Sequence, residues 1–339
     1  MIIWDLKKTP DLFTDNIYLW NSYDDSKYSS IPLLLEKNSK NYRSKYLEFI
    51  FNLSNKKIDN KNIIEYLFIE KDFSLWWMNK LIEKSPFHSK SIFASLKLLL
   101  LADLVNEKKI NKITLYSNDK KLHFTLKEFC NDKNIKYYYI NKYRREFNLK
   151  FSSIFYSLNY SIRAIIYILY YYFKIFKFKK NTGEKINYSK ADISIISFLA
   201  HLNESAFKTG IFETYLWGKL PSFLINKKNK INFFHIYMDL PKIKKKQEIN
   251  LSINKINNSK NYQGYHQLTD SFVSINLILK VIKFWIILHF KTYNIKKYNT
   301  VFRVNKSNLN LSYYLKEDFL DSIYGKEGIM NILWLELSK

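Results

Sequence analysis

Glu83, Lys84 and Ser85 sit side by side in the stretch SLWWMNKLIEKSPFHSKSIF, residues 74–93, and Lys90 and Ser91 follow a short way on. A carboxylate can take the proton of an attacking hydroxyl, and ammonium groups can oppose the charge of a phosphate. Glu83 is therefore the candidate catalytic base, with Lys84, Ser85, Lys90 and Ser91 as candidate ligand contacts. The plainer reading of the same residues is a helix–loop–helix corner carrying a Glu–Lys pair, and both readings stand at this stage. A second constellation lies in SFLAHLNESAFKTGIFETYLWGKLPSF, residues 197–223. Asn203 and Ser205 fall in a loop after an apolar run, and Trp217 is suited to stack on a sugar. Gly218 beside it suggests close packing.

These groups need elements to hold them. Ser74 is placed to cap a helix bearing Leu75, Trp76, Met78, Leu81 and Ile82, and Pro86 ends it. Trp76 and Trp77 read as anchors that seat this helix end against a sheet. MIIWD and NIYLW are short buried strands, and residues 44–55 form a helix. IIEYLFIE, residues 63–70, reads as a further strand, and residues 91–109 as a helix. Strand–helix–strand then recurs: 112–117, 121–134 and 135–140, and again 191–200, 209–229 and 231–237. Asn203 and Ser205 thus fall at the carboxyl end of a strand, where open α/β sheets bind ligands. This alternation predicts an α/β fold: a Rossmann-like parallel sheet with flanking helices.

Two long segments interrupt the alternation. From residue 151 to 173 the only charge is Arg163. On a helix, Ser152, Tyr156, Asn159, Arg163, Tyr167, Tyr170 and Lys174 share one stripe. Phe155, Leu158, Ile162, Ile165, Leu169, Phe173 and Phe176 share the other. An interfacial helix fits this spacing better than a membrane span, because a central arginine costs about 3 kcal/mol on insertion; a helix buried in the domain is the other option. The lysines of KIFKFKK after it suit anionic headgroups. Residues 271–290 form a second helix, with Asn276, Lys280, Lys283 and Lys291 on one face; the same two options apply, and core packing is the preferred one. The expected organisation is a Rossmann-like region over 1–150, an amphipathic basic and aromatic helix over 151–180, and a second βαβ region over 181–339 that includes the long helix.

Composition narrows the class. The 339 residues are 47% hydrophobic and carry a formal net charge of +25. A charge of this size calls for an anionic partner. Lysines spread along the whole chain without a nucleic-acid-binding motif point away from nucleic acid and toward an anionic membrane surface. The single cysteine, Cys130, falls on the apolar side of a helix, and with only 6 glycines there is neither a P-loop nor a dinucleotide fingerprint. The scattered histidines have no metal-ligand spacing, so no metal is expected. The N-terminus lacks a secretory signal, which points to a cytoplasmic protein peripheral on the inner face of the plasma membrane.

Three segments resemble a known family. SLWWMNKLIEKSPFHSKSIF is similar to the W-W…E-K-S…S segment of bacterial surface carbohydrate biosynthesis proteins, encoded among O-antigen and capsule genes. FETYLWGKLPSFLINKKNKINFFHIY, residues 212–237, is similar to that family's Tyr/Trp-Gly-x-Leu-Pro segment. DSIYGKEGIMNILWLEL, residues 321–337, is similar to its Ser-x-x-Gly segment followed by Asn-Leu-Leu. The three occur in family order. The resemblance implies a glycosyltransferase of the GT-B arrangement, with two Rossmann-type halves facing a cleft. It implies a nucleotide sugar as donor substrate and no other cofactor, and a lipid-linked glycan as acceptor. The chain reads as the N-terminal, acceptor-side half of that arrangement, completed by a separate C-terminal half or working with other glycan-assembly proteins. The alternative is a non-catalytic, membrane-peripheral scaffold or binding subunit of the same pathway.

Overall fold

The computed structural model describes residues 1–8, 10, 16–24, 26–83, 89–141, 158–182, 191–209, 212–227, 230–237, 246–258, 264–297, 300–305 and 307–339. The chain divides into two compact units, Met1–Ile165 with Lys283–Ile332, and Ile166–Ile282 with Leu333–Lys339. Each unit therefore takes two stretches of chain, whereas the sequence suggests contiguous regions. The chain passes between the units inside three helices, Tyr160–Thr182, Ile275–Lys291 and Lys326–Leu337.

The first unit is built on a five-stranded, all-parallel sheet. Its strands are β1 (Ile2–Trp4), β2 (Ile17–Leu19), β3 (Ser29–Ser30), β4 (Lys112–Tyr116) and β5 (Lys136–Ile140), in the order β3-β2-β1-β4-β5. Ile3 pairs with Tyr18 on one side and Leu115 on the other. The strand order reverses direction about β1, which makes the β1–β4 boundary a topological switch point. Flanking helices seal the sheet. The helix Lys120–Asp132 starts at Asp119, whose carboxylate accepts the Lys121 N–H at 2.8 Å. The helix Lys90–Glu107 contacts the helices Ile31–Lys37, Ser39–Ser54 and Ser312–Tyr324. That enclosure explains why Ile92, Leu98, Leu101, Ala102 and Val105 are buried on several sides of it and why it lacks a polar face. The parallel α/β fold and its strands at both ends are as the alternation predicts.

The second unit holds a three-stranded parallel sheet, β6 (Ile193–Phe198), β7 (Ile231–Ile236) and β8 (Tyr265–Leu268), in that order. Its core gathers Ile195, Leu199, Leu202, Phe212, Phe233, Ile249, Ile253 and Leu268.

Two elements depart from the sequence expectation. Residues 63–70 are not one strand. Asn62 and Glu65 form a capping box around the short helix Ile63–Tyr66, and Phe68–Glu70 then pairs antiparallel with Phe73–Ser74. Local capping chemistry overrides the apolar run there. Residues 209–229 are not largely helical either: only Leu220–Asn226 is a described helix. Gly218 has φ +50°, a left-handed conformation that stops a helix, and Pro221 sits where a helix begins rather than inside one. Trp217 and Gly218 accordingly lie in a turn rather than mid-helix. Nothing comes within 4 Å of a Cβ built on Gly218, so its role is conformational and not close packing.

Candidate functional site

The segment opening at Ser74 folds as a knot. The Ser74 hydroxyl accepts the Trp76 N–H at 3.3 Å and donates to the Ile64 carbonyl at 2.7 Å. That cap starts a single tight turn, Leu75–Met78, rather than a full helix. Trp76 is 2% exposed and its ring lies 6.2 Å from that of Phe319, on the helix Ser312–Tyr324. Trp76 is thus an anchor, but onto a helix and not onto the sheet. Trp77 is 61% exposed, so it anchors nothing in this chain.

The knot joins the first and third segments of the family resemblance. Lys80 Nζ meets Asp321 at 2.8 Å and Glu327 at 3.7 Å, and the Lys80 N–H donates to Ser322 Oγ at 3.1 Å. Asn331 Nδ2 donates to the Met78 carbonyl at 2.8 Å. The Ser89 hydroxyl donates to Asp318. Burial works against the Lys80 ammonium, yet the hydrogen bond it donates to Asp321 and the charges of Asp321, Glu327 and Asp318 keep its pKa above the ordinary value. Lys80 is therefore a fixed cation. Lys90 is exposed and opens the helix Lys90–Glu107, with half-buried Ser91 next to it. The backbone of Glu83 ends the short helix Lys80–Glu83, and its side chain, like Lys84 and Ser85, lies outside the described residues.

The second constellation comes together in part. Asn203 Nδ2 reaches Glu213 Oε2 at 3.4 Å, and the Ser205 hydroxyl donates to the same oxygen at 3.0 Å. The Asn203 N–H also donates to the Glu213 carbonyl at 2.9 Å. These residues flank a small cleft of about 210 Å³ that includes Phe212, Thr214 and Ser222. Trp217 is directed elsewhere. Its Nε1 donates to Ser197 Oγ at 3.1 Å, and Ser197 in turn meets His201 Nδ1 at 3.2 Å. Its half-buried ring packs on the core of the second unit, which leaves little face for a sugar. Glu213 escaped the sequence reading, although a carboxylate inside one of the three resembling segments is the kind of signal that marks such a group.

A third network was not legible at all. It lies at the carboxyl ends of β1, β2 and β4. Asp5 accepts hydrogen bonds from Asn21 Nδ2 at 2.5 Å and from the Ser117 hydroxyl at 2.6 Å. Lys97, 2% exposed, donates to Asn21 Oδ1 at 2.7 Å and to the Trp20 carbonyl at 3.0 Å. Its ammonium lies 4.3 Å from the centre of the Trp20 ring. The Asp119 N–H donates to Ser117 Oγ at 2.9 Å, and the Tyr314 hydroxyl donates to Asp119 at 2.7 Å. Burial, with the Asp119 charge and against the Ser117 bond, raises the Asp5 pKa. Burial lowers that of Lys97 to about 8, against the pull of Asp5 and Asp119.

The long helices complete the picture. No described helix is long and apolar enough to cross a membrane. On the helix Tyr160–Thr182, Arg163, Ala164, Ile168 and Ile175 are buried, while Ile162, Ile166, Leu169, Phe173 and Phe176 are exposed. The last five recur at helical spacing on one face. The packed face runs through Ala164, Ile168, Tyr171 and Ile175 rather than along the polar stripe, of which Asn159, Tyr170 and Lys174 are exposed. Of that stripe Arg163 is buried, 4.6 Å from the centre of the Tyr160 ring, and Tyr171 donates to buried Asp270 at 2.9 Å. On the helix Ile275–Lys291, Ile275, Leu279, Ile286 and Phe290 are likewise exposed. Residues 151–157 of the expected amphipathic segment lie outside the described residues.

No family model, no curated protein and no solved structure matches this chain.

Proposed function

We propose that the protein is a glycosyltransferase-like component of bacterial surface polysaccharide assembly, acting on a lipid-linked saccharide at the cytoplasmic face of the plasma membrane. One observation carries this reading: an apolar helical face of Ile162, Ile166, Leu169, Phe173 and Phe176 is exposed on a chain of net charge +25. A face of that kind buries its apolar residues at a lipid interface, and each nearby cation adds about 1 kcal/mol on an anionic leaflet. The parallel α/β sheets agree with the acceptor-side half of such an enzyme, with the donor held by a separate C-terminal half. In this reading the donor is a nucleotide sugar. Glu83 takes the proton of the acceptor hydroxyl. Lys84 and Lys90 oppose the acceptor phosphate, and Ser85 and Ser91 bind beside them. Asn203 and Ser205, both held by Glu213, form the contacts of the second unit, and Trp217 supports that unit from its core.

The test has two arms. Co-sedimentation with vesicles containing phosphatidylglycerol should be strong at low salt, and should fall several-fold with added salt and in an Ile166→Asp, Phe173→Asp double variant. Sugar transfer from a panel of nucleotide sugars to an undecaprenyl-phosphate-linked acceptor should occur, and Glu83→Gln should reduce it by two orders of magnitude or more. Vesicle binding without transfer would favour the scaffold reading. Indifference to anionic vesicles would remove both.

A further inference from the structure

The cavity at the carboxyl ends of β1 and β2 is independent of every residue named in the proposal above. It has a volume of about 560 Å³, and Trp4, Asp5, Asn21, Asp24, Lys27 and Tyr28 are among the residues that line it, with Lys7 and Lys8 at its rim. All of these belong to the first unit. The volume falls within the range of small-molecule sites. The cavity lies at the carboxyl ends of parallel strands, the edge at which open α/β sheets bind ligands, on the β2 side of the switch point.

We propose that this cavity binds a phosphorylated polyol, a sugar or ribose ring carrying a phosphate. Asp5 supplies the acceptor for ring hydroxyls. Each of its oxygens already takes one bond, from Asn21 and from Ser117, and each keeps a second lone pair. Those two bonds fix the plane of the carboxylate, and Lys97 fixes Asn21 in turn. Lys7, Lys8 and Lys27 supply the charge that a phosphate needs. Trp4 and Tyr28 supply the apolar wall against which a ring can lie.

A wholly structural origin for the network accounts for less. Asp5 and Lys97 are both held against their preferred charge state by burial. Packed apolar side chains would close the ends of three strands at lower expense than a desolvated lysine and carboxylate. Ionisable groups perturbed by burial and a charged partner, beside a cavity, mark a candidate functional site.

The claim concerns binding alone, so it survives or falls apart from the transfer reaction and from membrane docking. It is tested by isothermal titration calorimetry of the full chain with glucose 1-phosphate, UDP, glucose and inorganic phosphate. The expected result is saturable, one-to-one binding of glucose 1-phosphate or UDP, at least tenfold tighter than glucose or inorganic phosphate. Preference between the first two tells whether the ring is a sugar or a ribose. Asp5→Asn and the Lys7→Ala, Lys27→Ala double variant should each weaken binding at least tenfold. Lys7 and Lys27 are exposed, so the double variant keeps the test open if Asp5→Asn fails to fold. Absence of saturable binding by either phosphorylated ring overturns the proposal. So does equal affinity for inorganic phosphate alone, or binding that the folded variants leave unchanged.

Discussion

Lys97 is the residue whose environment departs furthest from what its type suggests. A lysine within SIFASLKLLLLADLV reads as the solvated side of an amphipathic helix, but helices close around that segment and hide it. Its hydrogen-bond partners, Trp20 and Asn21, follow β2 and lie far from it in sequence. This is why the network of Asp5, Asn21, Lys97 and Ser117 was invisible in the sequence, while Cys130 was readable: its apolar helical position does place it in the core, and burial pushes its thiol up to about 12. Lys97 also makes a prediction at this scale. An unfolded lysine has a pKa near 10.4, and the folded value is about 8. Between the two the unfolded chain binds more protons than the folded one, so stability rises with pH across that window. Below pH 8 both states are protonated and the penalty is constant. Urea midpoints at pH 8 and pH 10 should therefore show the folded state gaining on Lys97→Met by about 2 kcal/mol. Tyrosines titrate alike in both proteins and drop out of the difference. A stability gap that stays the same at the two pH values would mean that Lys97 is solvated.

At the scale of elements, the knot ties the stretch at Ser74 to the helices Ser312–Tyr324 and Lys326–Leu337 through the Lys80–Asp321 ion pair and the Asn331–Met78 hydrogen bond. It depends on Gly325, which separates the two helices. A Cβ built there would meet Asp321 Oδ1 at 2.0 Å and the Asp321 carbonyl at 2.9 Å. The side chain that must give way is the one holding Lys80, and the backbone contact leaves no alternative path. Gly325→Ala should therefore release Asp321 from Lys80 and lower stability by about 1–3 kcal/mol, the range of overpacked sites. Lys80→Met in the same background should add little further, because the ion pair is already broken. Fully additive losses in that double-variant cycle, read from urea midpoints, would show that the two positions act separately. Both segments carry landmark motifs, but nothing local in either one records a partner 241 positions away, as Asp321 is from Lys80. Where local chemistry decides, single residues set the element ends: Asp119 caps its helix, and Gly218 ends one that periodicity would prolong.

At the scale of the whole molecule, the path of the chain matters more than its order of motifs. The first unit takes residues 1–165 and then 283–332. The returning stretch is not an ornament. Leu315, Phe319, Ile323 and Tyr324 are buried in it, Tyr314 bonds Asp119, and Lys121 meets Glu317 at 2.6 Å. Without it the helix Lys90–Glu107 would lose one of the three helices that enclose it, and the buried face around Trp76 would open to water. Burial of a large apolar side chain contributes about 1.5–3 kcal/mol, so exposing four or five of them exceeds most of the stability of an ordinary domain. A fragment ending at residue 165 should accordingly lack a cooperative thermal transition and bind a hydrophobic dye. The same fragment joined through a flexible linker to residues 283–332 should recover a sharp transition and near-ultraviolet circular dichroism, since the parallel sheet and its cover are then both present. Cooperative melting of the short fragment alone would show that the sheet and its sequence-adjacent helices suffice, and that contiguous regions, as alternation along the chain suggests, are the true folding units.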